Sequence, residues 1–144
     1  MSKLTLEQTV TFNRKRDILS ALWIFLSVNY ILCDVLSNME ASVLRGLLEG
    51  NTAGIEMNQG FLLMAGISLE IPFVMIVIAK VLKFKANKII NITAGLLMTV
   101  YQASSFFFGT APSLHYIFFS GVEIIGNLLI VILAWKWVAP VNDM

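Results

Sequence analysis

Residues 58–82 read NQGFLLMAGISLEIPFVMIVIAKVL, with Glu70 and Lys80 as their only charges. As a helix, this stretch of 25 residues would rise about 37 Å, enough to cross a hydrocarbon core of about 30 Å. It does not alternate polar and apolar residues, so it is not a barrel strand. Backbone groups in lipid must pair within their own segment, which makes a helix the default. Three further segments of similar character lie at 18–37, 89–108 and 114–138.

The connections support these spans. Glu49-Gly50-Asn51-Thr52-Ala53-Gly54 separates the first two and Lys83-Phe84-Lys85-Ala86-Asn87-Lys88 the next two. Gly109-Thr110-Ala111-Pro112-Ser113 precedes the last, where Thr110 is expected to cap the helix with Pro112 in its first turn. The predicted fold is all-α: a four-helix transmembrane bundle in one domain, spanning 1–144, with a short amphipathic helix between its first and second spans.

Composition agrees with that solvent. Apolar residues make up 58% of the 144-residue chain and charged residues 13%, at a mean hydropathy of +0.81. Too little polar surface exists to cover a soluble globule of this size. A net charge of +1 projects no field toward nucleic acid. One cysteine, Cys33, and one histidine, His115, exclude an internal disulfide and fall short of a zinc site. No cofactor is expected. The polar first seventeen residues resemble a signal n-region. The run that follows is too long and lacks a small-residue cleavage site, so a retained span is expected.

Topology follows from the basic residues. Lys3, Arg14, Lys15, Arg16, Lys80, Lys83, Lys85, Lys88 and Lys136 would share one side, and Arg45 alone the other. The positive-inside rule then places both termini in the cytoplasm. Trp135 and Trp137 would mark that interface and Tyr116 the opposite one. On the outer side, residues 39–49 carry Met39, Val43, Leu44, Leu47 and Leu48 on one helical face, and Gly50 can end the turn. This short helix reads either as an interfacial anchor or as a lid over the outer mouth.

Carboxyls within the spans invite explanation, because a buried charge in a bilayer costs several kcal/mol. Glu70 and Glu123 would lie at depths of roughly 18 and 14 Å, with Asn127 one turn beyond Glu123 on the same face. Pro72 frees a carbonyl beside Glu70 and can kink that helix. With no Lys or Arg at their level, both carboxyls are expected to face the interior uncharged. They read either as a site for a proton, a cation or a polar ligand, or as structural hydrogen-bonding groups. Asp34 and His115 would lie at similar height near the outer mouth and either pair or meet water separately. Asn29, Tyr30, Tyr101 and Gln102 read as interhelical hydrogen-bonding groups. Lys80 reads as a snorkelling lysine, Cys33 as packing, and Phe106-Phe107-Phe108 as lipid-facing bulk. A weak repeat sets Glu70-Ile71 thirteen residues before Lys83 and Glu123-Ile124 thirteen before Lys136.

Glu70-Ile71-Pro72, then Val81-Leu82-Lys83-Phe84-Lys85-Ala86-Asn87-Lys88 with Asn91 and Gly95, resembles the middle of a family of small, uncharacterised bacterial four-helix membrane proteins. Tyr116-Ile117-Phe118-Phe119, Glu123 and Ala134-Trp135-Lys136-Trp137 resemble that family's last helix. The likeness extends to the DoxX-like group. It implies a four-helix bundle in the bacterial inner membrane and carries over no functional residues. Some DoxX-like proteins accompany redox or quinone-linked membrane complexes, although this chain has no haem, flavin or cysteine signature.

The expected function is therefore non-enzymatic, since no nucleophile has a base at recognisable spacing. Binding of a proton or small ligand at Glu70, Glu123 and Asn127 is the first reading. A structural or assembly subunit of a membrane complex, redox-linked on the strength of the resemblance, is the second. The expected partners are the lipid bilayer and a second copy or another membrane protein, since four helices alone rarely enclose a wide path.

Overall fold

The computed structural model describes residues 3–52, 54–107 and 111–138. Five helices and one small hairpin occur among them: α1 (Lys3–Asn38), α2 (Ala41–Leu48), β1 (Asn51–Thr52), β2 (Ile55–Glu56), α3 (Gln59–Val81), α4 (Phe84–Ser105) and α5 (Leu114–Trp135). Three stretches are long and apolar enough to cross a membrane, namely Asn13–Asn38 within α1, α3 and α5. Although α4 has 22 residues like α5, Lys85, Asn87, Lys88 and Asn91 near its start leave it too polar to count among them.

The helix boundaries have local causes. α1 begins well before the apolar run, because Leu, Glu, Gln, Lys and Arg favour helix and no Gly or Pro precedes Gly46. α2 ends at Leu48, and Gly50 just beyond its cap has a φ of +72°, the left-handed conformation glycine adopts without strain. In the hairpin, Asn51 faces Glu56 and Thr52 faces Ile55, while Asn51 Oδ1 accepts from Gly54 N at 3.1 Å. Asn58 caps α3 by accepting from Phe61 N at 2.9 Å. α3 continues unbroken through Pro72. α4 starts at Phe84, five residues before the expected span, because Phe84 and Asn87 are buried in its first turn. Ser113 occupies the N-cap position of α5 without a side-chain capping bond, which leaves Pro112 ahead of the helix rather than in its first turn. Ala53, Phe108, Gly109 and the expected cap Thr110 lie outside the described residues.

Packing runs from α3 to α1, from α1 to α5, and from α5 to α4, while α3 and α4 meet over few positions. Close approach depends on missing side chains. A Cβ on Gly126 would lie 2.7 Å from Leu26 Cδ2, and one on Gly95 would lie 2.8 Å from Val131 Cγ2 and 3.1 Å from the Asn127 carbonyl. Small residues at helix contacts are the usual means of packing helices in lipid.

Polarity is inverted relative to a water-soluble protein. Ser20, Ser27, Asn87, Asn91, Glu123 and Asn127 are buried, whereas Phe25, Val28, Leu63, Val77, Leu97 and Ile125 are exposed. A ladder of hydrogen bonds ties α4 to its neighbours. Trp23 Nε1 donates to Asn91 Oδ1 at 2.8 Å, Asn91 Nδ2 donates to Asn87 Oδ1 at 2.6 Å, and Asn87 Nδ2 donates to the Ala79 carbonyl at 2.8 Å. That carbonyl belongs to the last turn of α3, where no backbone donor follows. Basic residues treat the other free carbonyls alike. Arg16 donates to the Leu82 carbonyl, Lys15 to that of Lys136 at 3.2 Å, and Lys88 to that of Trp137 at 3.0 Å. Cations thus sit at the negative ends of α3 and α5. Lys80 makes an exposed ion pair with Asp17. Trp135 is exposed, but Trp137 is buried edge-on against Phe84 at 5.4 Å, so only one of the two could serve an aromatic belt.

Candidate functional site

The buried stripe of α5 comprises Ser120, Glu123, Gly126, Asn127, Ile130 and Ala134. These positions recur three or four apart, so helical periodicity alone carries the Glu123 carboxyl inward with Asn127 one turn along. Both residues are fully buried. Neither carboxyl oxygen of Glu123 has a hydrogen-bond partner among the described residues, nor does Asn127 Oδ1. Asn127 does use its amide hydrogens, donating from Nδ2 to the Tyr30 hydroxyl at 2.8 Å across to α1. Tyr30 is 5% exposed. One turn before Glu123, Ser120 Oγ accepts from Gln102 Nε2 of α4 at 2.7 Å. Tyr30, Cys33 and Asp34 of α1 and Tyr116 of α5 lie within electrostatic range of Glu123.

Chemically, the unpartnered atoms here are acceptors. A carboxylate and an amide oxygen carry lone pairs and no hydrogens, and a buried acceptor without a donor costs about 1–3 kcal/mol. The arrangement suits a proton or a ligand that supplies positive charge or hydrogen-bond donors.

Glu70 does not join this site. It is exposed on α3, whereas Pro72, Met75 and Ala79 point into the core. Two residues before Pro72 corresponds to about 200° of helix rotation, which turns Glu70 to the opposite face. There it lines an open groove of about 440 Å³ between α3 and α4, whose other walls include Ile71, Val74, Ile90, Thr93 and Leu97. The expectation of two carboxyls sharing one interior site is therefore corrected, and the Glu70/Glu123 repeat sets its two acids in opposite surroundings.

The outer-mouth residues do not pair with each other. Asp34 is exposed on α1. His115 instead meets Ser37 Oγ at 3.3 Å from Nε2, Ser113 Oγ at 3.2 Å from Nδ1, and a Glu40 carboxyl oxygen at 3.4 Å from Nδ1. Of the groups expected to bond between helices, Tyr30 and Gln102 do so, Asn29 bonds the Phe25 carbonyl of its own helix at 2.9 Å, and Tyr101 is exposed. Sequence reasoning missed the ladder through Trp23, Asn87 and Asn91. Its signal was present: two asparagines four apart in a helix whose other face is apolar.

No curated protein and no solved structure matches the chain. Residues 9–142 match the model of a family of unknown function (DUF6326), and the chain belongs to that family.

Proposed function

We propose that this chain is a non-enzymatic integral membrane protein that binds a proton or a small polar ligand at Glu123, assisted by Asn127. Its four long helices would form a transmembrane bundle in a bacterial inner membrane, with both termini cytoplasmic. α4 would be the polar-cored member, its asparagines turned inward and its Leu96, Leu97 and Val100 turned to lipid. One observation carries the reading: a fully buried carboxyl whose two oxygens have no partner among the described residues, beside an equally unpartnered amide oxygen. A group of that kind is costly to fold around, and intramembrane ionisable residues mark binding sites and proton paths.

The test is infrared difference spectroscopy of the full chain in lipid between pH 5 and 9. A carboxyl band that titrates in that window, and that Glu123→Gln removes while the helical signal is kept, is the expected result. A spectrum that Glu123→Gln leaves unchanged would overturn the reading.

A second reading, as an assembly subunit of a membrane complex, rests on α3. Only 11% of its apolar window is buried, against 44% for α1 and 33% for α5, and the groove beside it is open. Likeness to the DoxX-like group would add a redox link. Purification of the chain in mild detergent tests it, and recovery of a single copy without other subunits would count against it.

A further inference from the structure

The site at Glu123 has a donor balance that narrows its ligand. Counting lone pairs, the unpartnered atoms are Glu123 Oε1, Glu123 Oε2 and Asn127 Oδ1, which are all acceptors. Asn127 Nδ2 donates to the Tyr30 hydroxyl at 2.8 Å, which leaves Oδ1 as the atom of that amide without a partner. The Tyr30 oxygen accepts one hydrogen there and keeps a second lone pair. An anion would face the Glu123 carboxylate, with the Tyr30 hydroxyl hydrogen as the one donor among the three groups. A single proton supplies one O–H to a set of three acceptors.

We propose that Glu123, Asn127 and Tyr30 form a binding site for a small monovalent cation, which exchanges there with a proton. The proposal rests on the reading of Glu123 given above and names its ligand. Hard cations take oxygen ligands, and carboxylate, amide carbonyl and hydroxyl oxygens are such ligands. Charge selects the monovalent ion. Glu123 is the only buried carboxyl among the described residues, and Asp34, the other carboxyl within its electrostatic range, is exposed, so one positive charge neutralises the buried site, whereas a divalent ion would leave an uncompensated charge there. A transition metal lacks its ligands, because no group of three or more His, Cys, Asp or Glu occurs among the described residues. Helix α5 adds close walls: Gly126, between the two ligating residues, admits Leu26 of α1 to within 2.7 Å of where a Cβ would stand.

The experiment uses the full chain in detergent and in lipid nanodiscs. Its unfolding midpoint is followed by circular dichroism in NaCl, KCl or LiCl against choline chloride at equal ionic strength, at pH 8.5 and pH 5.5. Radiolabelled sodium, or rubidium as a potassium tracer, gives the stoichiometry. Expected are a saturable rise of the midpoint with one alkali cation, one ion bound per chain, and a weaker effect at the lower pH where protons compete. Glu123→Gln should abolish the ion dependence, and Tyr30→Phe, which keeps the ring in place, should weaken it. Should Glu123→Gln fail to fold, the wild-type chain decides, through a carboxylate infrared band that shifts with alkali cation and not with choline. A Glu123 carboxyl that titrates with no alkali dependence at either pH would overturn the cation and leave the proton reading standing. A Glu123→Gln chain that matches wild type in both infrared titration and ion response would overturn both.

Discussion

α4 makes two seams, built in different ways. Against α5 it presents Gly95, whose backbone comes close to Val131 and to the Asn127 carbonyl, and Gln102, which donates to Ser120. Against α3 it is held by Asn87 at the Ala79 carbonyl, and beyond that point the two helices leave a groove of about 440 Å³. The first seam joins close packing to a buried hydrogen bond, and the second is a polar clamp at one end. Without a hydrophobic drive between helices in lipid, a seam closes only where small residues allow dispersion contacts or where hydrogen bonds cross it. Each carboxyl follows its seam: Glu123 is sealed beside the closed one, and Glu70 is left on the open one.

The sharpest way to break the comparison is at Gly95. Gly95→Leu places a side chain where even a Cβ would stand 2.8 Å from Val131 Cγ2. α4 must then move away from α5, at a cost on the order of 3 kcal/mol. Denaturant titration in mixed micelles, read by circular dichroism, should show the transition shifted to much lower denaturant. An unshifted curve would mean that this seam is no tighter than the other.

A smaller effect is expected in the clamp. Asn91→Leu removes the acceptor of Trp23 Nε1 and the donor to Asn87 Oδ1, leaving both buried without partners. The loss should be about 1–3 kcal/mol. Trp23 fluorescence should change with it, because its indole N–H loses a hydrogen bond of 2.8 Å. Equal stability with an altered spectrum would show that the ladder orients α4 without holding it.

These seams explain what the sequence made legible. Apolar length located α3 and α5 to within a few residues, because a bilayer-length run admits few other structures. The inward carboxyl of α5 was legible too, since Glu123 and Asn127 share a helical face and polar groups turn away from lipid. Glu70 was not. α3 is apolar all round, so its composition carries no azimuth, and only the packing of Pro72, Met75 and Ala79 on α1 and its neighbours decides which side faces out. α4 was misjudged in the other direction. The same asparagines that lower its hydropathy are the ones that fix it, and the apolar run from 89 onward concealed a first turn at Phe84. The hairpin of β1 and β2 has two residues per strand, too few to carry a period.

The least effect is expected on the open side, from Gly66→Ala and Glu70→Gln in α3. Nothing lies within 4 Å of a Cβ on Gly66, so alanine adds no clash and removes the conformational freedom of glycine. A gain of about 0.5–1 kcal/mol follows from helix propensity alone. Glu70 is exposed on the groove, so its amide analogue should leave the denaturant curve of the isolated chain where it was. Both changes should be silent in the micelle titration that exposes Gly95→Leu. The contrast has force because glycine and glutamate occur on both sides of the comparison, and only their surroundings differ. If Gly66→Ala or Glu70→Gln instead destabilised the chain as Gly95→Leu does, the α3 face would have to be a packed surface, and the difference between the two seams would disappear.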